Sequence, residues 1–487
     1  MMNYMKFLNK HYALYLPQDI VIFFLNCIFN ITIMKNYILS FFSSYRFSLL
    51  IVLITLLNCS GGDSGDSSTS PSGDPQITVS NDLISFGQVY INTESDSQSM
   101  NVAGSDLSQQ VNLSVTGPFK ISSDNINFSN NVQVSSGSSE IFIKFSPTQT
   151  GLIVGEILLE SPGAESIEVT LTGTGITVVH SYTAFNQQPL GFGGGFNQSA
   201  SQVFSLHGDM SNIDKVKMFL QIDCPSSGCD DWDRFANVKV KDPASGNWFE
   251  IGRYITPYWV GTQQLDRGLE FDVTDFKSYL TGEVELRIYI ENWTAKADIV
   301  TVEFDFVEGT PDYPYYAVSE VLGYHINSID GVPYGVDHNF DLDKNIQIPS
   351  NTESAHLRTI ISGWGHATPN DIGGRPCAEW CFRTHNVKIN GSSMFQHYMG
   401  PIGCASNPIN NQNPGNWQPD RAGWCPGMVV PVRSNDLDLS STGSSFNFEY
   451  DFEDWVSDGA GGNAYYATST YIVVKSSSQI SIPIVTD

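Results

Sequence analysis

Hydrophobic and polar positions alternate with a period of two along most of the chain beyond residue 75. The pattern is clear in LISFGQV (83–89), SEIFIKFSP (139–147), GEILLES (155–161) and IEVTLTGTG (167–175). Such alternation marks strands with one face buried and one in water. Turn residues recur between these runs at roughly 8–12 positions, the spacing of a β-sandwich. The same rhythm continues later. In VELRIYIENW, Val284, Leu286, Ile288 and Ile290 share one face, while Glu285, Arg287, Tyr289, Glu291 and Trp293 share the other. In FNFEYDFEDW, Phe446, Phe448, Tyr450 and Phe452 fall on one face. The two prolines of GTPDYPYY interrupt the pattern near residue 310. The chain therefore reads as all-β: a β-sandwich over 76–175, then antiparallel bodies over 176–312 and 313–487.

Composition fits this reading. Charged residues make up only 15% of the 487 residues, Gly is abundant, and long apolar helical patterns are scarce. The formal net charge of −27 excludes a general affinity for nucleic acid, and the chain carries no basic run or phosphate-cradling glycine loop. All nine Trp lie beyond residue 230, so the first sandwich and the later bodies differ in function. The first reads as a spacer or partner-binding module. Its SFG, FSP-x3-G and closing LTGTG resemble the immunoglobulin-like modules of bacterial surface proteins.

The amino-terminal region points to export. From Met34, basic Lys35 and Arg46 precede the apolar run FSLLIVLITLL and then Cys59, the outline of a bacterial lipoprotein signal. Residues 34–58 are expected to be the signal peptide and Cys59 the lipidated residue, although Asn58 stands where a small residue is usual. Residues 1–33 are expected to be untranslated. Residues 59–75 consist of turn and polar types that cannot form a core, a flexible tether spanning roughly 20–25 Å. The expected location is the outer membrane, on its surface or periplasmic face. The six cysteines beyond Cys59 then read as disulfides. Proximity in sequence favours Cys224–Cys229, Cys377–Cys381 and Cys404–Cys425. For CAEWCFRTH (377–385), a zinc set of Cys377, Cys381 and His385 is the alternative.

Three acidic spots stand out: CDDWDR (229–234), IENW (290–293) and CAEWCFR (377–383). Each pairs an acid with a Trp, and two lie within or beside a short cystine ring. A small ring can fix a carboxylate against like-charged neighbours. It can also simply staple a hairpin.

From about Asp214 onward the chain resembles the peptide-N-glycosidase F family. The resemblance rests on CDDWDRFANV, IGRYITPYWVGT, RGLEFDVTDFKS, NSIDGVPYG, ISGWGHA, CAEWCFRTH and NPINNQNPGNWQPDRAGWCPGM, in family order. It implies two side-by-side eight-stranded antiparallel jelly rolls with the site in the cleft between them. It implies an amidase that cuts between an asparagine side chain and the first N-acetylglucosamine of an N-glycan. The family's catalytic carboxylates fall on Asp233, Glu379 and Glu291. Its substrate-contacting positions fall on Asp230, Trp232, Arg234, Trp293, Trp364, His366, Arg421 and Trp424. Asp233 would be the principal acid/base and Arg421 the partner of the oxyanion. The chain departs from the family pattern at Asp231, Asn292 and Pro376, none of which removes a catalytic group. The resemblance implies no metal and no cofactor. The expected partners are N-glycosylated proteins and peptides, and the expected state is a lipid-anchored monomer. A non-catalytic N-glycan-binding surface lipoprotein is the alternative.

Overall fold

The computed structural model describes residues 73–325, 331–413 and 416–487. The readings of residues 1–33, the signal at 34–58 and lipidation at Cys59 lie outside the described residues. Strands dominate from Gln76 onward, and among the described residues the one α-helical turn is Leu439–Thr442. Among the described residues no helix is long and apolar enough to cross a membrane.

The first sandwich packs a four-stranded sheet (76–79, 98–105, 138–145, 119–122) on a five-stranded one (83–90, 167–176, 151–160, 111–115, 131–134). Leu83–Tyr90 and Ile167–Ile176 pair in parallel; the remaining pairs are antiparallel. Alternate residues of each strand turn inward, as in Val111, Leu113 and Val115. Phe119 and Phe145 stack at 4.8 Å in the centre, with Phe86 beside both. The glycine of LTGTG at 173 is dictated by this packing: a Cβ there would lie 2.4 Å from the Phe145 ring.

The first jelly roll has two sheets. One contains 179–183, 298–308, 213–223 and 269–272, with Gln188–Leu190 continuing the edge beside Asp298–Glu308. The other contains 199–205, 283–290, 235–241 and 248–255. In Glu283–Ile290 the burial alternates residue by residue, with the apolar set inward. The second roll packs a sheet around Ser354–Asp371 and Ala464–Ser476 against one around Arg383–Ile389 and Ser445–Asp451. Short strands at 332–333, 375–378 and 484–486 are added to its main frame.

The two rolls are joined through backbone and core. Strand Trp248–Ile255 lies at a sheet edge of the first roll. It is capped by the segment 427–430 of the second, through Ile255 N to Met428 O, Gly427 N to Ile255 O and Val430 N to Arg253 O. This covers an edge that would otherwise leave backbone groups unpaired. Beside it, Phe235 and Ile255 from the first roll bury against Ile360, Trp364, Trp424, Val430 and Ala467 from the second. Each such large apolar side chain contributes about 1.5–3 kcal/mol on burial. A buried ion pair, Glu250 with Arg253, is also satisfied across the seam. Arg253 Nη1 donates to Ser362 Oγ and Ala467 O, and Ser469 Oγ donates to Glu250. With its remaining hydrogen-bonding groups paired, a charge couple at this depth is tolerated.

Candidate active site

Adjacent strand ends supply the first two carboxylates. Phe235–Lys241 and Glu283–Ile290 are neighbours, with Ala236 opposite Ile290. Asp233 stands just before the first strand and Glu291 just after the second. The Glu291 N–H donates to Phe235 O at 2.9 Å, which holds the two ends together. The third carboxylate comes from the other roll. Strand Arg375–Ala378 pairs with Ser354–Asp371, with Ala378 opposite His366. Glu379 follows directly, and its N–H donates to Gly365 O. The disulfide Cys377–Cys381 closes the turn, and Trp380 N donates to Pro376 O within it. Both sulfurs are thereby bonded to carbon and to each other. His385 lies apart from them as a buried ring whose Nδ1 accepts from Glu453 N. Cys224–Cys229 and Cys404–Cys425 are the other two bridges. Asp420 stands close to Cys404 and Cys425; its Oδ1 accepts from the N–H groups of Ile402, Gly403 and Cys404.

Arg421 unites the carboxylates of the two rolls. Its Nη2 lies 3.3 Å from Asp233 Oδ2, and its Nε lies 3.8 Å from Glu379 Oε1. The guanidinium is sandwiched by Trp380 at 4.4 Å and Trp424 at 5.2 Å. Nη1 donates to Pro419 O, and Ala422 N donates to Glu379 O. Burial pushes the Asp233 carboxyl up to about 6, with the negative Glu379 adding to the rise while Arg421 and a hydrogen bond from Tyr258 oppose it. His366 sits over the rim. Its Nε2 is 3.1 Å from Glu379 Oε2, and this hydrogen bond raises the imidazole above its ordinary value. Trp380 Nε1 also approaches the same nitrogen.

The structure divides the remaining sequence candidates into two groups. Trp232 and Trp293 are exposed, at 59% and 47%, and His366 is also exposed. Trp293 packs its edge on Phe192, whose N–H donates to Thr294 O. These aromatic faces remain open to a ligand. Asp230, Trp364, Arg421 and Trp424 are buried. Trp424 is 0% exposed and stacks on Trp364 at 4.4 Å, its Nε1 donating to Gly363 O. Trp364 Nε1 donates to Ser362 Oγ. Both indoles are part of the seam core because their polar N–H groups find partners there. Asp230 is buried and occupied: it accepts from Arg234 Nε, Asp231 N and Thr294 Oγ1. Arg234 forms this pair through Nε, and its side chain is partly exposed. Arg421 is 1% exposed.

Several contributors carried no separate signal in the sequence. Tyr258 hydrogen-bonds Asp233 and accepts from Arg421 Nη2 at 3.2 Å. It lies inside the quoted IGRYITPYWVGT run but reads there as an ordinary loop aromatic. Asn292 anchors the turn behind Glu291 by accepting from Thr294 N and donating to Lys296 O and Asp298 Oδ2. Burial pushes Asp298 up to about 7. A separate cleft of about 640 Å³ has Asp275, Tyr316, His356, Arg358 and Lys475 in its lining, with none of the site residues.

Fold and site together define a double jelly roll with an acid–base centre at the seam. A family model described as "Peptide-N-glycosidase F, C terminal" matches residues 335–473, and one described as "Peptide-N-glycosidase F, N terminal" matches 239–306. The chain is 56% identical to the peptide-N(4)-(N-acetyl-beta-D-glucosaminyl)asparagine amidase F of Elizabethkingia miricola over 303 residues. That match spans 62% of this chain and 86% of the relative. It is also similar to the solved structure of PNGase F, a glycosylasparaginase from Flavobacterium meningosepticum. That likeness has 55% identity and a TM-score of 0.63, covering 64% of this chain and all of that one. A structure of recombinant peptide N-glycanase F gives 55% identity and a TM-score of 0.62, over 63% of this chain and 99% of that one. The chain belongs to the peptide-N-glycosidase F family.

Proposed function

We infer that this protein is an amidase that hydrolyses the bond between an asparagine side chain and the first N-acetylglucosamine of N-glycans on glycoproteins and glycopeptides. The observation that carries the reading is the Asp233–Arg421–Glu379 cluster, assembled from both rolls in a chain 56% identical to an asparagine amidase.

The chemistry follows from these groups. Water attacks the side-chain carbonyl carbon, and Asp233 takes a proton from it. A carboxyl held near 6 is charged at neutral pH yet basic enough to accept a proton. The carbonyl oxygen gains negative charge. Arg421 offsets the accumulating charge, and its buried setting strengthens the effect. The carbon–nitrogen bond then breaks, and the proton held by Asp233 passes to the departing glycosylamine nitrogen. The peptide retains aspartate, and the glycosylamine loses ammonia to water. Glu379, fixed by its ring and by His366, orients the water or the first sugar. Glu291 supports the Asp233 strand end. The exposed faces of Trp232 and Trp293 suit the apolar faces of sugar rings.

The test is incubation with a denatured N-glycoprotein and mass spectrometry of the former glycosylation site. Conversion of that asparagine to aspartate with release of intact glycan is the expected result. Glycan binding without conversion would favour a carbohydrate-binding protein instead.

The basic residues, apolar run and Cys59 support a lipid-anchored exported protein, in keeping with three disulfides. Labelled palmitate should enter the wild-type chain and not Cys59→Ala. Equal labelling of both would remove the anchor from the proposal. A monomer at the outer membrane is part of the same reading.

A further inference from the structure

Tyr258 is 5% exposed and sits between the catalytic groups of the two rolls. Arg421 Nη2 donates to its hydroxyl oxygen at 3.2 Å. The same Nη2 lies 3.3 Å from Asp233 Oδ2, so phenol and carboxylate meet on one guanidinium nitrogen, and with its oxygen accepting from that guanidinium the phenolic proton is free to point at Asp233. Burial, and next the negative Asp233, hold the phenol well above its ordinary range, so it remains a donor at every pH the protein meets.

The backbone of Tyr258 is itself set by the second roll. Its N–H donates to Gln412 Oε1 at 3.0 Å, and Gln412 Nε2 donates to Ile409 O and Pro426 O. Gln412 is buried, so this amide has no competing water. The loop between the Cys404 and Cys425 bridgeheads thus reaches Asp233 by two routes, Arg421 and the Gln412–Tyr258 pair.

We propose that Tyr258 is a positioning residue for the amide hydrolysis: its hydroxyl, clamped between Arg421 and Asp233, holds the Asp233 carboxylate in the orientation that receives the proton of the attacking water. The proposal rests on the amidase reading above. It explains a feature that reading leaves open. The contact of Asp233 to Arg421 is long, at 3.3 Å, and by itself would leave the carboxylate free to rotate about its carbon–carbon bond.

Tyr258→Phe keeps the ring and removes the donor. A hydrogen bond to a charged group, once lost, corresponds to about a tenfold fall in kcat, with KM within about twofold because the phenol is buried away from the sugar-facing aromatics. The carboxylate form of Asp233 loses a stabilising donor. The acid limb of the kcat profile should therefore move to higher pH, by about one pH unit. A purely structural role would lower the amount of folded enzyme without moving that limb. Gln412→Ala keeps the phenol and loosens its anchor, and a smaller shift of the same limb is expected. An active wild type with unchanged rate and acid limb in both variants overturns this proposal alone. A raised KM with an unmoved limb also overturns it. A wild type that releases no glycan from the denatured glycoprotein overturns it together with the amidase reading.

Discussion

Arg421 Nη2 lies 3.3 Å from Asp233 Oδ2 across a sequence separation of 188 residues. The contact joins the end of a first-roll strand to a second-roll loop, so the pair exists only when the rolls are docked. The same guanidinium faces Glu379 through Nε. A planar fork with several donors can serve both carboxylates and the Pro419 carbonyl at once. A lysine ammonium of similar length cannot, and it would also lose the stacking on Trp380 and Trp424. Arg421→Lys should lower kcat by at least ~10²-fold, as expected when an electrostatic partner of the transition state is lost. Steady-state kinetics on a fluorescent glycopeptide would measure this. Activity within a factor of a few of wild type would remove Arg421 from the site.

Asp233→Asn tests the base. Activity should fall by ~10²–10⁴-fold, the usual cost of a lost general base, while glycopeptide affinity persists. Stability should move the other way. The folded protein holds the Asp233 proton more tightly than the unfolded chain, with a value of about 6 against an ordinary 3.8. Its contribution is therefore fully present below 3.8 and is lost as pH rises through about 6. Above that pH the ionised carboxylate costs stability that a neutral amide does not, at most about 3 kcal/mol. The Asp233→Asn variant should thus have a higher Tm than wild type at about pH 7–8, with the gain vanishing near about pH 4. A Tm difference independent of pH would contradict the raised value.

The wild-type rate should follow the same group. A base that titrates near 6 makes kcat/KM rise with pH through that region. The hydrogen bond to Glu379 raises the His366 imidazole above its ordinary value. His366→Gln should therefore change the shape of the profile above the first limb without abolishing it. A profile flat from about pH 4 to 8 would exclude both groups from the rate-determining step.

Much of this architecture is legible in the chain itself, for a physical reason. A strand with one buried face must alternate, and Val284 to Ile290 do so in sequence and in burial alike. The acids of CDDWDR, IENW and CAEWC are visible because a polar residue beside Trp interrupts that alternation at strand ends. Which Trp faces water is not legible. An indole is large and apolar with one polar N–H, so it serves equally in a seam core, as Trp424 does, or on a rim, as Trp232 does. The difference is set by how the two rolls dock, which no local pattern encodes. Tyr258 is hidden for the same reason. Its partners, Asp233, Arg421 and Gln412, are brought together by the edge pairing of 253–255 with 427–430.

The Cys377–Cys381 ring spans a sequence separation of only 4. Closing so short a loop removes little entropy from the unfolded chain compared with a long one. Both sulfurs are buried, and the ring carries Glu379 and the Trp380 face that supports Arg421. Replacing both cysteines by serine should therefore lower activity by more than about tenfold while Tm falls by only a few degrees. A non-reducing peptide map of the wild type should show the 377–381 bond. Loss of Tm comparable to that from opening Cys404–Cys425, with full activity, would make the ring a structural staple only.

The first sandwich has a core of its own. Its buried cluster runs from Ile77 to Leu171 and shares no residue with the clusters of the two rolls. At its junction with the first roll the strand Ile167–Ile176 leads into Val179–Thr183, and a cleft of about 470 Å³ is lined by Tyr90–Thr93, Ile176, Val178, Asn212 and Glu308–Thr310. None of Asp233, Glu291, Glu379 or Arg421 lies there. A domain with a core of its own can fold and unfold nearly independently of its neighbour. Removing residues 60–175 should then leave a soluble protein whose kcat on a free glycopeptide is within about twofold of wild type. The first-roll Tm should change by only a few degrees. Calorimetry of the intact chain should show a transition that the truncated chain lacks. A truncated chain that folds by circular dichroism but has lost amidase activity would show that the sandwich supports the site through the strand it feeds into the first roll.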